Sequence, residues 1–97
     1  MKTNMYSIYD TAIAAYKPIW ACPSDAAAQR EFTDIFDADN PISKHPEDYY
    51  LVRLGSFNDQ NGHLQGDTPE TICTGLEALA LKNKDAQNQN LIEFPTP

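Results

Sequence analysis

The segment from Ile42 to Phe57 constrains the fold of this chain more than any other. It reads ISKHPEDYYLVRLGSF. Pro46 disfavours helix at the residue before it and so marks a turn. The run from Tyr49 to Leu54 is rich in β-branched and aromatic residues, which is typical of a strand inside a sheet. The polar residues that follow predict a hairpin, with Gly62 supplying the positive φ of its turn.

Length and charge limit the functions that the chain can perform. The 97 residues predict a single domain, in which a large internal active-site cavity is not expected. Seven basic and fourteen acidic residues give a net charge of −7. The charge sums to +1 over residues 1–22, −7 over 23–70 and −1 over 71–97. This distribution disfavours general binding to phosphate backbones, so any nucleic-acid contact should be confined to a small patch.

The cysteines and the hydropathy pattern predict a cytoplasmic protein. Cys22 and Cys73 are far apart, form no CxxC motif and follow no secretory signal, so we interpret them as reduced thiols. No apolar run approaches the roughly 18 residues that a membrane-spanning helix needs. We therefore expect a cytoplasmic location and no membrane contact.

The first half of the chain predicts two strands and a helix. Residues from Met5 to Tyr9 alternate as in a strand, and those from Tyr16 to Cys22 predict a second strand, placed at an edge because of Pro18. Ser24 is a suitable N-cap for a helix ending before Pro41. The apolar face of this helix comprises Ala28, Phe32, Ile35 and Phe36. Residues 37–48 are predicted as a polar loop.

The second half predicts a short fourth strand after the hairpin and then a second helix. Thr68 is the expected N-cap and Pro69 the first helical residue. The apolar face would comprise Ile72, Leu76 and Leu79. Residues 82–97 are predicted as a flexible polar tail with an apolar tip of Leu91, Ile92 and Phe94.

These elements predict an α+β fold of order ββαββα. The expected domain spans residues 1–81 and contains a four-stranded antiparallel sheet in the order 2-1-3-4. Both helices should cover one face of the sheet. The other face would then be open and available for binding.

No group of residues requires an enzyme. His45, Glu47 and Asp48 could bind a metal or transfer protons, but a turn before a strand explains them better. A zinc site would need Cys22, Cys73, His45 and His63, which lack close ligand pairs. Ser24 is accounted for as an N-cap, and the glycines form no phosphate-binding loop. We therefore predict no catalytic residues, no metal and no cofactor.

Aromatic residues on the predicted strands suggest a binding surface. Bases of single-stranded DNA stack on exposed rings, at about 1–3 kcal/mol per base. The candidate contacts are Lys2, Tyr9, Lys17, Trp20, Lys44 and Arg53. The alternatives are that the rings fill the core, or that the open face binds a second copy of the chain. The apolar tip of the tail could also dock on a partner or along the edge of the second strand.

The order and spacing of several short motifs resemble those of a viral protein family. The motifs are Tyr6, Tyr9-Asp10, the 27–36 helix with Arg30 and Phe32, His45-Pro46-Glu47-Asp48-Tyr49, Leu54-Gly55, Phe57 and Gly62. Over residues 3–81 the chain resembles the small nonstructural protein of gokushovirus-type microviruses, which are phages with circular single-stranded DNA genomes. The resemblance implies a role in late replication, when single-stranded genomes enter procapsids. It implies no catalytic residues.

Two functional hypotheses follow. In the first, the chain is a non-enzymatic phage accessory protein that binds single-stranded DNA, the replication complex or both during genome synthesis and packaging. In the second, it is a homodimeric protein-interaction module that engages a basic phage or host protein without contacting DNA. A metal-assisted hydrolase built on His45, Glu47 and Asp48 is the weakest alternative.

Overall fold

A computed structural model describes the backbone of residues 2–92 and the side chains of residues 2–84. The strands are β1 Lys2–Asp10, β2 Ala15–Tyr16, β3 Trp20–Cys22, β4 Tyr49–Asn58 and β5 Leu64–Thr74. The helices are α1 Asp25–Asp34, α2 Pro41–Lys44 and α3 Gly75–Ile92. All strand pairs are antiparallel. The predicted α+β class and antiparallel sheet are confirmed.

The sheet has five strands, so the prediction of four is wrong. Its order is β2-β1-β4-β5, and β3 pairs with β1 beside β2. The segment predicted as one edge strand divides at residues 17–19. Tyr16 lies opposite Tyr9 and Trp20 opposite Tyr6, so this segment has one residue more than β1 over the same span. Pro18, which has no N–H for the sheet, lies inside the resulting bulge.

Helix α1 forms where its capping signal predicts. The Ser24 side chain accepts a hydrogen bond from the backbone N–H of Ala27 at 3.1 Å. Ala28 and Phe32 are buried, and a 3-10 turn over Ile35–Asp37 continues the helix. The predicted apolar face of this helix is therefore confirmed.

Residues 37–48 contain more regular structure than the predicted loop. Helix α2 begins after Asn40, whose side chain accepts from the Ser43 N–H while the Ser43 hydroxyl accepts from the Asn40 N–H. Pro41 occupies the first helical position, where its missing N–H is harmless. A 3-10 turn over Pro46–Asp48 then leads into β4.

The predicted start of the second helix is wrong. Thr68 and Pro69 lie in β5, an edge strand in which proline is tolerated. Helix α3 begins at Gly75 instead, and its cap is reciprocal: the Thr74 hydroxyl accepts from the Glu77 N–H at 3.1 Å, and the Glu77 carboxylate accepts from the Thr74 N–H at 2.8 Å.

The core-facing residues of the last helix also differ from the prediction. Ala78 is fully buried, whereas Leu76 is 56% exposed and Ile72 belongs to β5. The backbone of α3 continues to Ile92, through most of the segment predicted as a tail. Phe94, the last residue of the predicted apolar tip, lies outside the described residues.

The core lies on one side of the sheet. Its buried residues come from all three long strands, β3, α1 and α3, and Ile42 of α2 packs against them. They are Tyr6, Ile8, Cys22, Ala28, Phe32, Tyr49, Leu51, Cys73 and Ala78. The helices thus cover the face that carries these side chains. We call the opposite side the open face.

The β4–β5 hairpin closes as predicted. Gly62 has a φ of +75°, and its N–H donates to the Asn58 carbonyl at 2.8 Å. Further along the hairpin, Gly55 lies opposite Gly66. A Cβ on Gly55 would lie 2.1 Å from the Gln65 carbonyl oxygen, whereas one on Gly66 would meet nothing within 4 Å. A side chain is therefore excluded at Gly55 but has room at Gly66, although the two glycines are paired.

This pair provides a test of the hairpin geometry. We expect Gly55→Ala to lower the free energy of unfolding by about 1–3 kcal/mol, because the two strands must separate to admit the methyl group. Gly66→Ala should be neutral or stabilising by up to about 1 kcal/mol. Urea unfolding of both variants at one protein concentration measures the difference, and equal losses would contradict the described backbone approach.

Candidate functional site

The open face is the candidate functional site, and the strand register defines its residues. Side chains alternate between the two faces of a strand, so residues next to the core positions of β1 and β4 face away from the helices. The pairing gives four rows: Tyr16, Tyr9, Tyr50 and Thr74; Ser7, Val52 and Thr71; Ala21, Met5, Gly55 and Gly66; Thr3, Phe57 and Leu64.

The first row carries three tyrosines on adjacent strands. Tyr9 pairs with Tyr16 on one side and with Tyr50 on the other. The rings of Tyr9 and Tyr16 are 4.7 Å apart between centroids and tilted by 52°. Tyr16 is 47% exposed. We call Tyr16, Tyr9 and Tyr50 the tyrosine row; it offers flat aromatic surface to a partner.

The third row forms a recessed part of the surface. Its members Ala21, Gly55 and Gly66 have small side chains or none, and Met5 is half-buried. The second row, between the tyrosine row and the third row, is buried: Ser7 is 0% and Val52 4% exposed, and the Ser7 hydroxyl donates to the Lys17 carbonyl. The open face therefore has a ridge of rings beside a shallow trough.

The open face is uncharged. None of the fourteen residues that the register assigns to it is acidic or basic, although 21 of the 97 residues in the chain are charged. Charged side chains are placed instead on the helix side, in turns and along β5. A partner of the open face thus meets rings, aliphatic groups and hydroxyls.

The predicted DNA contacts do not gather on this face. Tyr9 lies on it, but Trp20 lies on the helix side, where its ring is 6.2 Å from that of Tyr6 and its Nε1–H donates to Glu31 at 3.3 Å. Arg53 also lies on the helix side and pairs with Asp25 and Glu70.

The lysines among the predicted contacts are similarly dispersed. Lys17 holds its Nζ 5.9 Å from the ring centroid of Tyr49, a core residue. Lys44 pairs with Asp39 at 3.8 Å at the end of α2. Lys2 is exposed at the start of β1. The six predicted residues therefore do not form one basic strip. The six predicted contacts include Tyr9 but not its neighbours in the tyrosine row, Tyr16 and Tyr50, which the sequence places among the strand aromatics.

Arg53 belongs to a polar network that fastens α1 to the sheet. Its guanidinium contacts the carboxylates of Asp25 at 2.5 Å and Glu70 at 2.7 Å. The Tyr6 hydroxyl donates to Asp25 at 2.6 Å and accepts from Asn4 at 3.1 Å. Burial, with the nearby Asp25 carboxylate, raises the pKa of Tyr6 to about 12. The hydrogen bond from Tyr6, with the Arg53 guanidinium, lowers the pKa of Asp25 below its usual 3.8.

The His45–Tyr49 motif joins several elements. The Asp48 carbonyl accepts from both the N–H and the hydroxyl of Thr11, which fastens the β1–β2 turn to the start of β4. A Cβ on Gly75 would lie 2.0 Å from the Pro46 carbonyl oxygen, so α3 begins in direct contact with this turn. These backbone contacts give the motif a structural role.

The same motif carries the one potential metal-ligand group found among the described residues. Ligand atoms of His45, Glu47 and Asp48 lie within 4.8 Å of one another, with His45 and Glu47 exposed. Cys22 and Cys73 are buried free thiols. Burial raises the pKa of each to about 11, so both are protonated near neutral pH. The four residues of the predicted zinc alternative do not appear as a group in residues 2–84.

A family comparison identifies the kind of protein. The chain matches the Phage ORF5 protein family over residues 3–78, which include the sheet from its second residue onward and the start of α3. This chain belongs to that family and is a bacteriophage protein. No curated protein and no solved structure matches it. Within residues 2–92, no helix is both long enough and apolar enough to cross a membrane.

The network around Asp25 makes stability depend on pH. A carboxyl whose folded pKa is lowered stabilises the fold above its unfolded pKa, and this contribution is lost as pH falls through the lowered folded value. We therefore expect the difference in urea midpoint between wild type and Asp25→Asn to be present at pH 7. It should shrink as pH falls below 3.8, the usual value.

Tyr6→Phe is the companion variant. It keeps the aromatic ring and removes the hydroxyl whose hydrogen bond is the main cause of the lowered pKa of Asp25. Its stability should fall less steeply with acid than that of the wild type. If the urea midpoints of wild type, Asp25→Asn and Tyr6→Phe changed with pH by equal amounts, this account of the network would be ruled out.

Proposed function

We propose that this phage protein is a non-enzymatic accessory protein of a gokushovirus-type microvirus, and that it acts in the host cytoplasm as a protein-interaction module. Its open face would engage a protein partner during genome synthesis or packaging. The neutrality of that face is the observation that carries the proposal. Protein interfaces exclude charge from their centres and are enriched in tyrosine, and the fourteen positions of the open face have this composition.

The distribution of cations supports a protein partner over DNA. Binding to a phosphate backbone depends on basic side chains beside the stacked bases. Arg53 is neutralised by two carboxylates on the helix side, and Lys44 pairs with Asp39. A strand of DNA lying on the tyrosine row would therefore gain stacking with little charge compensation. The net charge of −7 adds repulsion.

Crosslinking in infected cells tests the protein-interaction role. We expect a photoreactive amino acid at Tyr16 to form adducts with protein. The same group at Leu76, which is 56% exposed on α3, is the control and should form few. Mass spectrometry of the adducts identifies the partner. Equal labelling from both positions, or none from Tyr16, would contradict the role proposed for the open face.

The second candidate is direct binding of single-stranded DNA during genome synthesis and packaging. The specific observation in its favour is the tyrosine row, because three rings on adjacent strands form a stacking platform of the kind that sheet-based binders use.

Fluorescence titration with single-stranded oligonucleotides at two salt concentrations measures this activity. If DNA stacks on the row, Tyr16→Ala should weaken binding by about 5- to 150-fold, which corresponds to 1–3 kcal/mol, and Tyr16→Phe should preserve it. If the protein-interaction proposal is right, we expect no saturable binding even at low salt. Saturable binding that Tyr16→Ala weakens by this amount would favour DNA instead.

A further inference from the structure

We propose that the partner of the open face is a second copy of this chain, packed face to face about a two-fold axis. This inference rests on the protein-interaction role and names its partner. The axis would lie in the interface along the second row, Ser7 and Val52, and each copy would place its tyrosine row in the trough of the other.

The spacing of the rows carries the inference. On β1 the tyrosine row is at Tyr9, the second row at Ser7 and the third row at Met5, so on this strand the second row is equidistant from the other two. On β4 the third row is one residue further away, because Leu54 lies in a bulge. A two-fold rotation about the second row exchanges ridge and trough. Tyr50 of one copy then lies over Gly55 of the other. Such reciprocal contact is what a two-fold interface requires of a single surface.

The edges of the sheet favour a face contact over edge pairing. On β5 the residues Asp67, Thr68 and Pro69 lie opposite Leu54 alone, which forms a large bulge with an acidic residue and a proline. On the other side, β2 and β3 are short and separated by the Pro18 bulge. Bulges, prolines and charges of this kind prevent another strand from adding. The open face is thus the sheet surface left for self-association.

Charge and area are also compatible with a second copy. Two chains of net charge −7 repel each other, and contact between faces without charged groups keeps acidic side chains apart. The rows cross four strand positions about 4.8 Å apart and span seven residues of β1 (Thr3–Tyr9) and eight of β4 (Tyr50–Phe57), which gives a combined interface on the order of 1,000 Å². This is near the lower bound for a specific complex, so a reversible dimer is expected.

Gly66 offers a direct test. It lies in the trough, its φ is not positive, and a Cβ there meets nothing within 4 Å, so Gly66→Arg should leave the protomer folded. The matched control is Gln65→Arg, which adds the same charge one residue away on the opposite face of β5. We expect sedimentation equilibrium to show a dimer for wild type and for Gln65→Arg. The dissociation constant of the Gly66→Arg dimer should be at least about tenfold higher than that of the wild type.

Salt provides an independent readout. Because the two copies carry like net charge, the fraction of wild-type dimer should rise as salt is added, whereas contacts with DNA or a basic protein should weaken. Circular dichroism and urea curves check that both arginine variants are folded. If Gly66→Arg loses its fold, Tyr16→Glu on the exposed end of the tyrosine row replaces it and should likewise favour the monomer.

The outcomes separate this inference from the proposed function. Wild type that stays monomeric at all concentrations and salts overturns the second copy as partner. In that case, crosslinks from Tyr16 to another protein would still support the interaction role. A dimer equally stable in Gly66→Arg and Gln65→Arg places the interface elsewhere and also overturns the inference. Crosslinks from Tyr16 to the chain itself would support it.

Discussion

The pairing of β1 with β4 is the interaction on which the rest of the structure depends. Its register runs from Lys2 opposite Asn58 to Asp10 opposite Tyr49. These two central strands fix which side chains face the helices and which face away. The segment between them, residues 11–48, contains the short strands, α1 and α2, and its helices cover one side of the sheet. Both faces are therefore set by one long-range pairing.

Local sequence signals predicted the elements whose causes are local. The cap at Ser24, the strand from Tyr49 and the glycine turn at Gly62 all form as expected. The predicted start of the second helix was wrong because the sequence contains two helix-start signals, one at Thr68-Pro69 and one at Thr74-Glu77. Pairing of β5 with β4 selects the second, since Glu70 and Thr71 lie opposite Arg53 and Val52. A local signal does not contain that long-range pairing.

The candidate site was harder to predict because single-residue bulges decide which residues share a face. In one regular strand from Tyr16 to Cys22, Tyr16 and Trp20 would point the same way. The additional residue at the Pro18 bulge reverses the alternation, so Tyr16 lies on the open face and Trp20 beside the core. Tyr9 and Arg53 are separated by ordinary alternation, because Arg53 pairs with Tyr6, three residues from Tyr9. The residue types were recognisable from sequence, but their grouping required the register.

The separation of charge from aromatic surface explains how a small acidic protein can keep an open sheet face. An exposed apolar patch normally carries a risk of aggregation, and an unprotected sheet edge increases it. Here the bulge at Asp67–Pro69 protects one edge, and the bulge at Pro18 interrupts the other. Repulsion between chains of charge −7 opposes random contacts, because most orientations bring acidic side chains together. An approach through the open face, none of whose fourteen positions is charged, keeps acidic side chains apart, so the charge that opposes random contacts is compatible with the face-to-face contact that we propose.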